Sequence, residues 1–251
     1  MKLYQAIDEF ENTGLVQAVT SIRQGGVSRA PYHSLNLGDH VGDNPEAVLA
    51  NRRIFFDQIG LDTPNFAYCR QIHGNRVLLI DASTLQLQLP LAEADAMVTV
   101  QSSLALGVFT ADCVPIFVLD VATPAIGIAH AGWRGTLAKI ATQTINAMEN
   151  HFGSSPSSCL VHLGPSIQKC CYTVSVSLAD QFERTFGSHV RVGECTLDLP
   201  TANVHQFLQM GVPSRAVSMA QFCTACCTDL FYSHRLADGE TGRMLSLIRL
   251  L

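Results

Sequence analysis

Between residues 97 and 130 four apolar runs follow one another with only short turns between them: MVTV at 97–100, LALGVF at 104–109, VPIFVL at 114–119 and AIGIAH at 125–130. Each has the length of a strand, and none alternates apolar with polar side chains as a strand with one wet face does. Runs of this kind have to be covered on both faces. The chain therefore needs a sheet at its centre and further layers outside it. With 251 residues, 47% of them hydrophobic and 15% charged, it carries enough apolar surface to build those layers.

The flanking segments supply them. Asn44, Pro45 and Glu46 form a helix-start signal, Val48, Leu49, Phe55, Phe56 and Ile59 share one face, and Gly60 is placed to end the helix. A second helix is predicted from about 136 to 152, with Leu137, Ile140, Ala141, Ile145, Met148 and Phe152 in register and Gly153 after it. Further on, the pattern predicts a strand near 159–163, helices near 176–186 and 201–210, and strands near 216–219 and 245–250. No linker-like stretch, repeat or shift of composition divides the chain, so residues 1–251 read as one domain. The expected architecture is α/β (α+β), a single-domain sandwich of mixed β-sheets with outer helices.

Several partner classes are disfavoured. A formal charge of −5, from 16 basic and 21 acidic side chains, comes with no basic stripe, so no nucleic-acid partner is expected. Thr110, Asp112, Asp120, Thr123, Pro124 and His130 interrupt the most apolar region, so no run reaches the roughly 20 residues of a membrane span. The opening residues MKLYQAIDEFEN become acidic before any apolar stretch of signal-peptide length, and a cytoplasmic location is expected. The nine cysteines then read as reduced thiols rather than a disulfide framework.

Polar residues at the ends of the apolar runs mark where chemistry can sit. His73 lies in QIHGN, Cys113 in TADCVP and His130 in AHAGWRG. Two imidazoles and a thiolate make a zinc donor set, and three protein ligands leave a fourth position open, as catalytic zinc sites do. The separations of 40 and 17 residues match no local ligand motif. What singles these three out is context, since each stands beside glycine or a small residue at a strand end. The alternatives are ordinary buried side chains, or a metal-free Cys113–His pair acting as nucleophile and base.

Three other segments stand out. In SIRQGGVS (21–28), Gly25 and Gly26 permit a tight turn and Arg23 offers a planar fork for phosphate, with Ser28, Ser34 and Asn36 as neutral hydrogen-bonding groups. The alternative is a well-capped turn with a solvated arginine. GPSIQKCCYTVS (164–175) and CTACCTDLFYSHR (223–235) are rich in cysteine. Cys223 and Cys226 form a C-x-x-C, but one such pair lacks the second pair of a structural zinc site, and the adjacent Cys170 and Cys171 diverge in an extended chain. These four are expected to be packing residues.

Taken together, SIRQGGVS, YHSLNLGDHVGDNPEAV, QIHGNRV, ADAMVT, TADCVPI, IAHAGWRG, LGPSIQKCCYTV, LDLPTAN and CTDLFYSHR…TGRM resemble the YfiH family in sequence and in order. Its members are also described as laccase-domain or peptidoglycan-editing-factor proteins and as zinc-containing purine nucleoside phosphorylases. The resemblance implies a YfiH-like fold and metal ligands at His73, Cys113 and His130, with zinc as cofactor and copper as its alternative. It also implies phosphorolysis of adenosine, inosine and methylthioadenosine to base and ribose 1-phosphate, with adenosine deamination at a zinc-activated water. Two local departures are Gln168–Lys169, where many relatives carry Gly-Pro, and Ser233–His234–Arg235, where an aromatic often precedes the arginine.

Residue counting separates these activities. A four-copper laccase needs many histidines, usually in H-x-H pairs, and the chain contains none of these. The cytidine-deaminase signature H-x-E with P-C-x-x-C is absent too, since Phe222 precedes Cys223. Phosphorolysis needs an anion site, for which Arg23 and Arg134 are the candidates, and a proton for the departing base, for which Asp112 is the candidate. Asp112 has the alternative role of orienting a neighbour. The expected partners are purine nucleosides and phosphate. A polyphenol oxidase, a Cys–His hydrolase and a cell-wall editing factor are the rival assignments.

Overall fold

The four central runs become strands whose every residue is buried: β7 (Ala96–Thr99), β8 (Ala105–Thr110), β9 (Val114–Asp120) and β10 (Ala125–Ala131). The computed structural model describes all residues except 1, 62–64, 82, 85–87 and 103. Two main sheets hold these strands. One runs in the order β1 (Tyr4–Ala6), β2 (Val16–Ser21), β15 (Met244–Leu250), β8 and β3 (Phe66–Ala67). The other runs β14 (Val217–Met219), β11 (Cys159–Leu163), β9, β10, β7 and β5 (Val77–Leu79). Two ribbons, β4 (Cys69–Arg70) with β6 (Leu91–Glu93) and β12 (Arg191–Val192) with β13 (Thr196–Leu197), complete the strands described.

Most neighbouring strands are antiparallel, while β3–β8, β5–β7 and β11–β14 are parallel, so both sheets are mixed. Unbroken apolar runs usually signal parallel sheets; here they arise in antiparallel strands because both faces are covered. On the inner faces Ala18, Leu106, Val108 and Ile248 of one sheet meet Met97, Phe117, Leu119, Ile126 and Ile128 of the other. On one outer face α2 (Pro45–Ile59) lays Phe55, Phe56 and Ile59 against Val19, Ala105, Leu245 and Leu247. On the opposite outer face α4 (Ile140–Phe152), α5 (Val176–Phe186) and α6 (Leu199–Gln209) cover Val114, Ile116, Val118, Ala129 and Val161. The layers therefore run helix, sheet, sheet, helix, and each buried Leu, Ile or Phe contributes roughly 1.5–3 kcal/mol of transfer free energy.

The α2 signals act as expected: the Asn44 side chain accepts from the backbone N–H of Glu46, and Gly60 closes the helix at φ 62°. The continuous helix predicted over 136–152 is instead two, α3 (Trp133–Leu137) and α4, separated by Lys139 at φ 64°. Side chains from other elements take over the carbonyls at the break. Asn75 Nδ2 donates to Ala138 O (2.8 Å) and Gln206 Nε2 to Thr136 O (3.1 Å), while Gln206 Oε1 accepts from Thr142 N (3.4 Å). Tertiary amide contacts thus replace the helical ladder that local periodicity favours. The residues numbered 8–11 add a one-turn helix, α1 (Asp8–Glu11), which the pattern does not reveal.

His162, on β11, is buried between Phe117, 6.1 Å away ring to ring, and Ser218, whose hydroxyl lies 2.8 Å from its Nδ1. Burial pushes its imidazole down to about 4, against a smaller opposing pull from Glu9. The folded state therefore binds fewer protons than the unfolded state, whose imidazole titrates near 6.5. The stability this represents is complete above that value and is lost as pH falls through 4, to an extent of up to about 3 kcal/mol. Urea unfolding at pH 7, 5 and 4 should show the loss, and His162→Gln should flatten its slope.

Candidate metal centre and cavity

Strand pairing brings the three sequence-predicted ligands to one end of the six-stranded sheet. Ala131, the last residue of β10, stands opposite Val114, the first of β9, so His130 and Cys113 flank this pair from the two strands. His73 arrives from the connection between β4 and β5, with its backbone at φ 59°. The ligand atoms of His73, Cys113 and His130 all lie within 4.8 Å of one another, and the two imidazoles meet edge-on with centroids 4.7 Å apart. Gly132 leaves this space open: a Cβ there would stand 2.8 Å from His73 Cδ2 and 3.0 Å from Cys113 Sγ.

Asp95, fully buried just before β7, organises the site. Its carboxylate accepts from the backbone N–H groups of Ile72 (3.2 Å), His73 (2.9 Å) and Gly74 (2.6 Å), which sets the strained His73 loop. The same carboxylate lies 2.8 Å from His130 Nδ1, fixing that nitrogen as the protonated one and aiming Nε2 at the centre. Asp95 is absent from the sequence-predicted site. Its signal is an acidic residue in ADAMVT directly before a wholly buried strand.

The electrostatics are those of a ligand pair. Burial alone would raise the Cys113 thiol, but His130 and, secondarily, His73 bring it down to about 6. Burial likewise opposes a charge on His130, and the Cys113 thiolate together with Asp95 raises it to about 9. Both shifts describe one event, transfer of the thiol proton to an imidazole anchored by a carboxylate. Two nitrogens and one anionic sulfur converging on a point fit zinc or copper.

Beside the triad opens a cavity of about 390 Å³, lined by His73, Cys113 and Asp112 on one side and by Trp133, Arg134, Tyr172, His234 and Arg235 on the others. Arg134 stacks on Trp133, 4.2 Å from guanidinium carbon to ring centroid, and Arg235 on Tyr172 at 5.2 Å. Neither arginine makes an ion pair among the described residues. Asp112, at φ 87°, accepts from Thr224 Oγ1 (2.6 Å) with one oxygen and from the backbone N–H of Arg235 (2.7 Å) with the other. Its geometry is that of a residue holding Arg235 in place. Trp133, Tyr172 and Arg235 are additions to the sequence-predicted set, all carried by motifs that periodicity leaves unexplained.

Arg134 lines this cavity, whereas Arg23, Ser28 and Asn36 do not. Arg23 spends its guanidinium on the carbonyls of His33 (3.0 and 3.3 Å) and Thr228 (2.9 Å) and stacks on Tyr232. Ser28 donates to Asp43 (2.6 Å), and Asn36 donates to Asp43 (2.9 Å) while accepting from the backbone of Arg243 (2.9 Å). At their centre Asn51 of α2 accepts from Val27 N and donates to Ser28 Oγ, Ser34 O and Asn36 O. The double glycine also serves packing, since a Cβ on Gly26 would lie 2.3 Å from Ser34 O. This cluster fastens loops to α2 and to the start of β15.

The model for a family described as multi-copper polyphenol oxidoreductase laccase matches residues 17–251. Among characterised proteins, the chain is 34% identical over 247 residues to the purine nucleoside phosphorylase YlmD of Geobacillus stearothermophilus, covering 94% of this chain and 90% of that one. It is 38% identical over 236 residues to a purine nucleoside phosphorylase of Corynebacterium glutamicum, covering 93% and 94%. The crystal structure of the Bacillus licheniformis hypothetical protein YfiH superposes with a TM-score of 0.93 at 30% identity, covering 100% of this chain and 97% of the other.

In protein stripped of metal, alkylation of Cys113 by iodoacetamide, followed by mass spectrometry of its peptide, should rise through pH about 6. Asp95→Asn removes the charge that favours the His130 imidazolium and should move that midpoint upward.

Proposed function

The chain belongs to the family of multi-copper polyphenol oxidoreductase laccases, the YfiH-like proteins, and we propose that within it this protein is a metal-dependent purine nucleoside phosphorylase. The observation that carries this reading is the content of one cavity. A His-Cys-His donor set, two arginines without carboxylate partners and two aromatic rings line a space of about 390 Å³, a volume suited to a small ligand. The phosphorylase names of the relatives support it. The laccase description fits less well, because the candidate metal groups among the described residues are this triad and an all-cysteine cluster, with no histidine-rich set for a three-copper centre.

In phosphorolysis an oxygen of phosphate forms a bond to C1′ as the bond from C1′ to the purine nitrogen breaks. The bonding electrons leave with the base, which takes up a proton. Arg134 and Arg235, stacked on Trp133 and Tyr172, hold the phosphate oxygens through charge-assisted hydrogen bonds. The exposed faces of the same cavity take the planar base. Asp112 positions Arg235 through its backbone, and we assign proton exchange with the base to His234, whose side chain has no hydrogen-bond partner among the described residues. His73, Cys113 and His130 would hold zinc, which would supply Lewis acidity and an activated water there, and the same donors would accommodate copper. Deamination of adenosine is the second outcome such a centre supports.

The close Cys113–His130 pair favours one rival, a metal-free thiolate hydrolase, and chelation separates the two: it should abolish turnover by a phosphorylase of this design and spare the hydrolase. Chromatography of adenosine incubated with and without phosphate should show phosphate-dependent adenine and ribose 1-phosphate, with inosine in both samples reporting deamination. His73→Ala should lose the zinc of the His73, Cys113 and His130 site and about 100-fold or more in turnover with an unchanged circular dichroism spectrum. Arg134→Ala and Arg235→Ala should each raise KM for phosphate about 10-fold or more.

A further inference from the structure

The two cysteine-rich segments, expected to be packing residues, meet at the other side of the cavity wall. Strands β11 and β14 are parallel neighbours, with Leu163 opposite Met219, so the chain leaves both at the same end of the sheet. The segments then stay together: Ser166 bridges Cys223, and Thr224 N donates to Ser166 O (3.1 Å). Residues 168–172 form a turn, in which Cys171 N and Tyr172 N both donate to Gln168 O, rather than the extended chain in which adjacent side chains diverge. Cys226 N and Cys227 N fold back on Cys223 O, giving the C-x-x-C its own turn.

As a result the sulfurs of Cys170, Cys171, Cys223 and Cys226 all lie within 4.8 Å of one another. Cys226 Sγ is 3.6 Å from Cys170 Sγ and 3.4 Å from Cys171 Sγ. A zinc–sulfur bond of about 2.3 Å makes the edge of a regular tetrahedron about 3.8 Å, so this spacing encloses a single ion. The backbone N–H of Gln168 donates to Cys223 Sγ (3.4 Å), as amides do to metal-bound thiolates. Cys170 and Cys226 are exposed, which argues against a packing role.

We propose that Cys170, Cys171, Cys223 and Cys226 bind a second metal ion, a zinc in closed tetrathiolate coordination, that clamps together the two loops forming one wall of the cavity. With all four positions filled by sulfur the ion is structural, and soft thiolates in a tetrahedral set select zinc among abundant divalent metals. The clamp joins the loop that carries Tyr172 to the loop that carries Arg235, and the two loops are further joined by Arg235 stacking on Tyr172 and by Arg235 Nη1 donating to Thr173 O (2.8 Å). Its ligands are distinct from His73, Cys113 and His130, so its test is independent of the phosphorylase reading.

The test is metal stoichiometry on full-length protein kept reduced, loaded with zinc and freed of excess. The expected result is two zinc ions per chain, falling to one in C170S/C226S and to one in H73A, with Tm lowered by about 5 °C in the cysteine double variant. Cobalt-loaded wild type and H73A should both show the intense absorption of a tetrathiolate cobalt centre, and this measurement stands if C170S/C226S fails to fold. One zinc per chain that is lost in H73A, with no tetrathiolate spectrum, overturns the proposal. So does a disulfide among these four cysteines in freshly isolated protein whose free thiols are blocked before digestion.

Discussion

The buried carboxylate of Asp95 is the point on which the site depends. Taking an ionised carboxylate out of water costs several kcal/mol unless its lone pairs are matched. Here three consecutive backbone N–H groups and one imidazole match them. Those four partners come from residues 72–74 and from His130, so one charge couples a loop, the approach to β7 and the end of β10. Burial works against the ionised form of Asp95, and the hydrogen bond and charge of His130 outweigh it and hold its carboxyl below the usual range. The same contact settles which imidazole nitrogen faces the centre. The geometry and the protonation of the donor set thus rest on one group.

The location of the chemistry follows from the layers. Helices on both outer faces and a sheet against a sheet leave the strand interiors no room for unpaired polar groups. Polar side chains gather where strands end. Cys113 and Asp112 lie on the crossing from β8 in one sheet to β9 in the other, His130 is the last residue but one of β10, and Arg134 sits in the first turn of α3. The loops after β11 and β14 close the remaining side.

Much of this was legible in the sequence, for identifiable reasons. Strands such as Cys159–Leu163 and helices such as Val176–Phe186 coincide with their predicted ranges because burial pattern and capping agree there. The helix break at Lys139 was not legible, because the amides that cause it belong to Asn75 and Gln206. His73, Cys113 and His130 stood out by their strand-end contexts, and the structure brings them together. Arg23 looked like an anion site because a guanidinium beside a double glycine has that chemistry; its carbonyl partners lie at His33 and Thr228, and the latter is far away in sequence. Asp95 and Arg235 escaped for the same reason, since their importance lies in contacts that only the assembled sheets create.

The cavity wall poses a separate physical problem. Residues 164–175 and 220–235 contain neither a regular helix nor a strand, yet they carry Tyr172 and Arg235 to the cavity wall. Among the described residues, backbone pairing between them is one bridge, Ser166 with Cys223, and the turn hydrogen bonds lie within each segment. Asp112 adds one constraint by binding Thr224 and the Arg235 backbone together. A tetrathiolate ion adds a stronger one, because four metal–sulfur bonds fix two turns in a single geometry without needing a hydrophobic core beneath them. As proposed, two metal positions with different donors would divide the work: the open His-Cys-His set faces the cavity, and the closed all-cysteine set would stiffen the wall that carries Arg235.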